Sequence, residues 1–358
     1  MAHIVLNRNK LKHNYKYLDD LFKANEIEWG IVSKVFCGSK LYLKEIIDLG
    51  IGQICDSRIT NLKIIKSINP AIETVFIKPA AKRYISSVVK YADASFNTEY
   101  ETIKMLSDEA VRQEKIHKII IMIELGELRE GVMREDFVDF YAKVFKLPNI
   151  EVVGIGTNLT CMYGVLPNQD KLVQLCLYEQ LVEAKFNKSI PYISGGTSVT
   201  IPMINKGLLP KGINHFRVGE TLLLGTDVYN YQPNPHLNQD IFKLYAEIVE
   251  LREKPMVPDG DIGHNLTGDE LTFEEGHADG TSYRAIIDVG LLDVEPNHIF
   301  PTSENIKIVG SSSDMMVVDL GEDYQQYKVG SLIEFDLNYM GLLRIMNCDY
   351  VDKRIIED

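Results

Sequence analysis

Residues 29–40, Trp29-Gly30-Ile31-Val32-Ser33-Lys34-Val35-Phe36-Cys37-Gly38-Ser39-Lys40, decide the fold. A β-rich apolar run, Trp29–Phe36, leads into an amphipathic helix-like segment, Ser39–Leu49. No GxGxxG lies between them, so the glycine fingerprint that opens a doubly wound nucleotide-binding sheet is missing at the first strand. The same alternation then continues along the chain. Strand candidates Gly52–Cys55, Thr74–Ile77, Ala94–Asn97, Lys118–Glu124, Val152–Thr157, Tyr192–Ser194 and His215–Val218 are interleaved with helix-like runs such as Arg58–Ser67, Thr98–Gln113, Arg134–Lys146 and Asp170–Phe186. Eight short strands alternating with helices predict a parallel (β/α)8 barrel over an open sheet. The opening stretch also poses a chemical question. Lys34 stands inside an apolar run, and a lysine is rarely buried there unless it is paired or chemically engaged.

The chain has 358 residues, long for one core, so a large domain followed by a smaller one is expected. The texture changes after about residue 230, where Tyr229-Asn230-Tyr231-Gln232-Pro233-Asn234-Pro235 reads as a linker. Beyond it come short strand-like runs, Lys243–Leu251, Tyr283–Val289, Ile306–Val309, Met315–Leu320 and Ser331–Leu337, separated by Gly, Asp and Pro turns. The expected division is therefore a barrel over residues 8–230 and an all-β domain over 231–358, with residues 1–7 available as an added strand. The acidic stretch Pro258–Gly280 is long for a loop and reads as functional or mobile. A balance of 38 basic against 51 acidic residues, net −13, argues against a nucleic-acid or anionic-membrane partner. No apolar stretch reaches about 18 residues and the first residues open no signal peptide, so a cytoplasmic protein is expected. Five scattered cysteines without a CxxC spacing read as reduced thiols, with neither a disulfide framework nor a metal site.

In a (β/α)8 barrel the chemistry sits at the C-terminal ends of the strands. Lys34, Arg129, Asn158, Ser194 and Arg217 fall near those ends. The set holds no paired carboxylates and no Ser-His-Asp group, but it does hold a lysine in apolar surroundings. Desolvation favours a neutral amine, which Schiff-base chemistry requires; the plainer reading has Lys34 ending its strand and pointing to water. Ser194-Gly195-Gly196-Thr197-Ser198 and Arg217-Val218-Gly219-Glu220 follow two successive strands. One glycine-rich turn is usually only a turn. Two at the last two strands match the barrel phosphate site.

These residues resemble the fold-type III, pyridoxal-phosphate-dependent alanine racemase family, and within it the ornithine racemase branch, over nearly the whole chain. Leu11-Lys12-His13-Asn14 is similar to the family's first helix, and Val32-Ser33-Lys34-Val35 to the segment of the cofactor lysine. Ile123-Glu124-Leu125-Gly126-Glu127-Leu128-Arg129-Glu130-Gly131 is the most specific match. Gly154-Ile155-Gly156-Thr157-Asn158, Ser194-Gly195-Gly196 and Arg217-Val218-Gly219-Glu220 are close matches, as is Leu337-Asn338-Tyr339 near the C-terminus. Ser312-Ser313-Asp314 falls where alanine racemases carry Cys-Met-Asp.

The resemblance implies a role for each matched residue. Lys34 would carry the cofactor and act as one acid/base group. Arg217 would face the pyridine nitrogen, and Arg129 the phenolic oxygen and the substrate carboxylate, with Asn158 packing by the ring. Ser194, the amides of Gly219 and Glu220, and Tyr339 would hold the phosphate, with Gly195 and Thr197 added. The sequence departs from the family pattern at four places. Gly38 replaces a phosphate-binding tyrosine, and Met122 stands where some members carry a carbamylated lysine. Gly290-Leu291-Leu292-Asp293 replaces Gly-Tyr-Ala-Asp, and Asn265, beside His264, stands where the opposite-face tyrosine is expected. Inversion needs a proton donor and acceptor on each face, so His264 is the leading replacement, with Tyr283 and Tyr163 behind it. The implied function is L/D interconversion of an amino acid, ornithine or another basic one, with Asp314 and the acidic 259–275 stretch available to its side chain. An alanine or broad-specificity racemase, or a decarboxylase or aldolase on the same scaffold, is the alternative. A homodimer with shared active sites is also implied.

Overall fold

In the computed structural model residues 1–266, 268 and 280–357 are described. The chain divides into two compact units, residues 10–239 and residues 1–9 with 240–358.

In the first unit, strands β2 (Glu28–Val32), β3 (Gln53–Asp56), β4 (Glu73–Phe76), β5 (Ala94–Asn97), β6 (His117–Met122), β7 (Ile150–Gly156), β8 (Tyr192–Ser194), β9 (Gly196–Thr197) and β10 (His215–Val218) make one parallel sheet in the order β8-β7-β6-β5-β4-β3-β2-β10-β9. β8 and β9 are one stretch of chain interrupted at Gly195: its first half pairs with β7 and its second with β10. The sheet therefore closes into an eight-stranded barrel, as the alternation predicted. Inward positions of successive strands, Cys55, Val75, Ala94, Phe96, Ile120, Met122 and Val153, form the packed interior. The helices outside bury one stripe each; in Tyr100–Arg112 it is Ile103, Leu106, Ser107 and Ala110, the spacing of one helical face.

The second unit is an eight-stranded sheet of β1 (His3–Asn7), β13 (Phe242–Pro255), β14 (Thr281–Ile287), β15 (Ile299–Pro301), β16 (Lys307–Ser311), β17 (Met316–Asp319), β18 (Leu332–Leu337) and β19 (Asp352–Ile356). β1 lies antiparallel to β13 and parallel to β19, and all five of its residues are buried. Among the described residues no helix is long and apolar enough to cross a membrane.

Three expectations change. The first barrel strand stops at Val32, because Ser33 turns helical and Lys34–Phe36 form a 3-10 turn closed by Cys37 in the left-handed region, φ 49°. Lys34 thus heads a turn beyond the strand and is only half-buried. The stretch 229–235 is no linker but part of a hairpin, β11 (Thr226–Asp227) with β12 (Gln232–Pro233). Asp227 Oδ1 accepts the amides of Tyr229 and Asn230 at 3.0 and 3.1 Å, an Asx-type turn. The first unit runs on to residue 239, where Asn14 exchanges hydrogen bonds of 2.8 and 2.9 Å with the backbone of Asn238. The second unit is a β domain, as expected, with one added helix, Tyr339–Asn347, capped by Asn338. Most of the 258–280 stretch lies outside the described residues.

The long helix Gln169–Phe186 carries a buried carboxyl, Glu179, beside Glu183, whose own carboxylate accepts the Ile190 amide at 2.9 Å. Burial, then the charge of Glu183, pushes Glu179 up to about 7 from its ordinary 4.5. Between those values the folded chain holds a proton that the unfolded chain has released. The stabilisation is complete below the lower value and is lost as pH rises through the upper one. E179Q keeps the shape and removes the proton: its melting temperature, followed from pH 5 to 8.5, is expected to exceed the wild type's by roughly 2–4 °C above pH 7 and to lose that advantage at pH 5.

Candidate active site

Arg217 lies inside the barrel on β10, beside Gly30 of β2 and Thr197 of β9. Its guanidinium stands 4.9 Å over the Phe96 ring, and Nη2 donates to the carbonyl oxygen of Thr157 at 2.7 Å. Nε is buried and has no hydrogen-bond partner among the described residues. Burial pulls the group down to about 10, so it remains a cation at neutral pH. Neighbouring Cys55 is wholly buried, and burial pushes its thiol up to about 12. Arg217 Nε therefore remains an unspent donor inside the barrel. Asn158, half-buried, follows the carbonyl that holds the guanidinium.

The two glycine-bearing strand ends do come together, but their groups are not disposed as the sequence suggested. Ser194 faces the barrel interior, its Oγ 2.7 Å from His215 Nδ1. His215 Nε2 meets Gln53 Oε1 at 2.9 Å, and Gln53 Nε2 donates to Glu73 at 3.0 Å. The Glu73 carboxylate only accepts, so the Gln53 amide nitrogen faces it and Nε2 of His215 carries the ring proton. Nδ1 is then the acceptor, and the Ser194 hydroxyl spends its proton on it. Burial pushes His215 down to about 3, which keeps the imidazole neutral. The Ser194 hydroxyl, expected at a phosphate, is thus engaged inside the barrel. The amide of Gly195 donates to Ile193 at 3.1 Å and that of Thr197 to Thr200 Oγ1 at 3.3 Å, so neither N–H is unspent. The hydroxyl that does face the second strand end is that of Ser198, which accepts the Thr221 amide at 3.3 Å. Gly219 caps the helix Glu220–Leu224 and lies against Val32; a Cβ there would stand 3.2 Å from the Val32 carbonyl oxygen.

Lys34 enters from the neighbouring strand. The preceding residue, Ser33, is pinned by its Oγ to Asp56 at 2.7 Å, and Asp56 also accepts from the Arg58 amide and Asn61. Burial pushes the Asp56 carboxyl up, and those hydrogen bonds oppose the shift. Glu220 faces Lys34: burial raises its carboxyl, and the ammonium partly offsets this.

Beyond β6, residues 124–131 form a loop organised by three glutamates. Glu124 Oε1 accepts the amides of Gly126 and Leu128. Gly131 packs on the Glu124 backbone, where a Cβ would stand 2.3 Å from its nitrogen. Glu127 is 1% exposed, and its Oε1 accepts the amides of Cys161, Met162 and Tyr163 at 2.8, 2.5 and 2.9 Å. Its Oε2 accepts those of Thr160 and Val165 at 3.1 and 3.0 Å. Burial alone would raise this carboxyl, but the five amides win and hold it down at about 2. Glu130 grips Arg129, whose Nη2 donates to Oε1 at 2.7 Å, while its Nη1 lies on Cys161 Sγ. Met122 packs under Gly156, where a Cβ would meet its sulfur at 2.9 Å. Sequence reasoning used Arg129 from this motif and passed over Glu127 and Glu130, although the unbroken Glu-x-x-Glu-x-x-Glu spacing was a signal.

Three expected site residues belong to the second unit. His264 is exposed. Asp314 is exposed in the turn between β16 and β17, accepting from Ser312 and Ser313 Oγ at 3.3 Å. Tyr339 is half-buried at the first position of its helix.

A closed barrel with a lysine just past its first strand, a buried arginine on its last, and a serine beside a helix start defines the class as a (β/α)8-barrel protein with cationic groups at its strand ends. Residues 6–227 match the alanine racemase N-terminal domain. The chain is 36% identical to the ornithine racemase of Acetoanaerobium sticklandii over 99% of both chains. It is 28% identical to the lysine racemase of Thermotoga maritima, over 98% of this chain and 97% of that one. The alanine racemase of Bartonella henselae, solved with covalently bound pyridoxal phosphate, superposes with a TM-score of 0.73 at 16% identity over 99% of both chains. The protein belongs to the alanine racemase family.

E127Q tests the loop clamp. Whichever way the amide turns, its NH2 faces at least two of the five backbone donors. The variant is expected to lose about 1–3 kcal/mol of stability in denaturant unfolding and to exchange the amide protons of residues 160–165 faster than wild type.

Proposed function

We propose that this chain is a pyridoxal-phosphate-dependent amino-acid racemase acting on ornithine or a related basic amino acid. The observation that carries the reading is Arg217 Nε, a buried, unspent donor on a permanent cation inside the barrel. A neutral ring nitrogen that only accepts suits it, and pyridoxal phosphate has one. The residues present fit the rest of that group. Lys34 is close by, the Ser198 hydroxyl adjoins the amides that open helix Glu220–Leu224, and Gly219 leaves the approach clear. Two relatives similar over nearly the full length, an ornithine and a lysine racemase, support the basic substrate. The family resemblance further supports a cytoplasmic homodimer.

When bound, pyridoxal phosphate supplies the electron sink that makes the Cα proton of an amino acid removable. The rest falls to the protein. Arg217, still protonated at neutral pH, would donate through Nε to the ring nitrogen and so keep it from taking a full proton. Arg129 presents a planar fork suited to the substrate carboxylate. Lys34 Nζ takes or returns the proton on one face of Cα. On the other face His264 is our assignment; Tyr163, on the loop clamped by Glu127, and Tyr283 are the alternatives.

The reading is tested with a racemisation panel. L-ornithine and L-lysine are expected to lose optical rotation faster than L-alanine, in a protein with an absorbance band near ~420 nm that borohydride removes, the signature of a lysine-linked cofactor. K34A is expected to lack the band and to lose at least about 10²–10⁴-fold in rate. A colourless protein that takes up no cofactor, or a K34A variant of wild-type speed, would sink the proposal. For His264, deuterium uptake at Cα in heavy water is the measure: H264A is expected to exchange one enantiomer and not the other, with inversion slowed about 10²-fold or more. Exchange of both at the wild-type rate would move the role to Tyr163 or Tyr283.

A further inference from the structure

Arg129 has a long side chain that is 34% exposed, and such a side chain alone would spread over many rotamers. It does not stand alone. Nη2 donates to Glu130 Oε1 at 2.7 Å and Nε lies in ion-pair contact with Oε2, which accepts no hydrogen bond among the described residues, so one edge of the guanidinium faces the carboxylate. Glu130 is only 12% exposed, so solvent competes little for it. The opposite edge is thereby turned to Cys161, whose sulfur meets Nη1. Cys161 is in turn fixed, because its amide is one of the five that Glu127 holds. Glu130 and Arg129 are also both within electrostatic reach of Arg217.

We propose that Glu130 is a positioning residue: with Cys161 on the opposite edge, it holds Arg129 so that the end of the guanidinium, the N–H groups of Nη1 and Nη2 left over, is presented to the carboxylate of the bound amino acid. It also sets a negative charge between two guanidinium groups that would otherwise repel. The inference rests on the proposed function for its kinetic readout, and a second readout does not need it. Here the turn set by Glu124 and Gly131 brings the two side chains round to one side.

E130Q keeps the shape and removes the charge. It is expected to melt like wild type and to lose roughly tenfold or more in kcat/KM, mostly as a rise in KM, with E130D between the two because its carboxylate is one methylene short of the fork. In the R129A background E130Q is expected to cost nothing further, since the residue acts through Arg129. Wild-type kcat/KM in E130Q, or a full additional loss on top of R129A, would overturn the proposal. Cys161 provides the independent reading. It is the one cysteine of the five that is exposed, and C161S identifies its phase in reaction with a disulfide reagent. The Arg129 guanidinium lies on the sulfur and covers it, so E130Q, which releases the side chain, and R129A, which removes it, are both expected to speed the reaction several-fold, and E130Q is expected to add nothing in the R129A background. No change in E130Q, or a further rise when E130Q is added to R129A, would overturn the proposal whatever the activity. If the wild type racemises nothing, the proposed function falls and the thiol rate alone decides this inference.

Discussion

A guanidinium inside a barrel is the constraint around which the first unit is built. Taking such a cation out of water costs several kcal/mol unless its donors are met. Arg217 is met in part: the Phe96 face lies under it, and the Thr157 carbonyl takes one donor. Space is made by leaving side chains out. Gly30, directly opposite in the ladder, carries none, and a Cβ there would stand 2.7 Å from Gln53 Oε1 and 2.8 Å from Cys55 Sγ. Below, the chain Ser194–His215–Gln53–Glu73 satisfies the interior polar groups among themselves. Among the described residues Arg217 Nε remains without a partner, as does Asn97 Oδ1 on β5. A fold seldom leaves a buried donor orphaned, so the orphan is a sign that something outside the chain completes it.

The same economy governs the loop after β6. None of Glu124, Glu127 and Glu130 is in a helix, although their spacing of three would suit one. Each carboxylate instead gathers donors that loops would otherwise expose: two amides, five amides and one guanidinium. Hydrogen bonds to a charged acceptor are about twice as strong as neutral ones, and Glu124 and Glu127 together hold seven backbone amides. The consequence for function is that Arg129 projects from a loop whose backbone is fixed on both sides of it by carboxylates and by the Gly131 contact.

Elements legible in the sequence were those with a local signal. Eight apolar runs bounded by Gly, Asp and Pro marked the barrel strands to within a few residues, and Lys34, Arg217, Gly219 and Glu220 could be placed at strand ends on that basis alone. What was not legible depended on partners far away in the chain. Ser194 looks like any serine before two glycines. Only the closed barrel brings His215 within reach of its hydroxyl, and the hydroxyl at the second strand end turns out to be four residues further on, at Ser198. The run 229–235 has linker composition, yet Asp227 and Asn14 convert it into a hairpin and its anchor. The helix at 339–347 was hidden because its neighbours are strands and its cap, Asn338, had been read only as half of a motif.

Charge arithmetic at the mouth shows why an anionic cofactor and a carboxylate substrate suit this barrel. Lys34, Arg129 and Arg217 contribute three positive charges, and Glu130 and Glu220 two negative ones. Glu130 is spent on Arg129, and Glu220 is held ionised in part by Lys34. If Lys34 loses its charge in forming the proposed link, Glu220 loses the neighbour that opposes its burial, and its carboxyl moves toward the neutral form. The two guanidinium groups are then left facing the ligand, matched by a substrate carboxylate and an electron-rich ring. Glu124 and Glu127 keep their negative charges, but Glu124 turns its Oε1, and Glu127 both its oxygens, to backbone amides of the loops. Selection for a basic amino acid therefore draws least on Glu127, whose two oxygens between them already accept five amides.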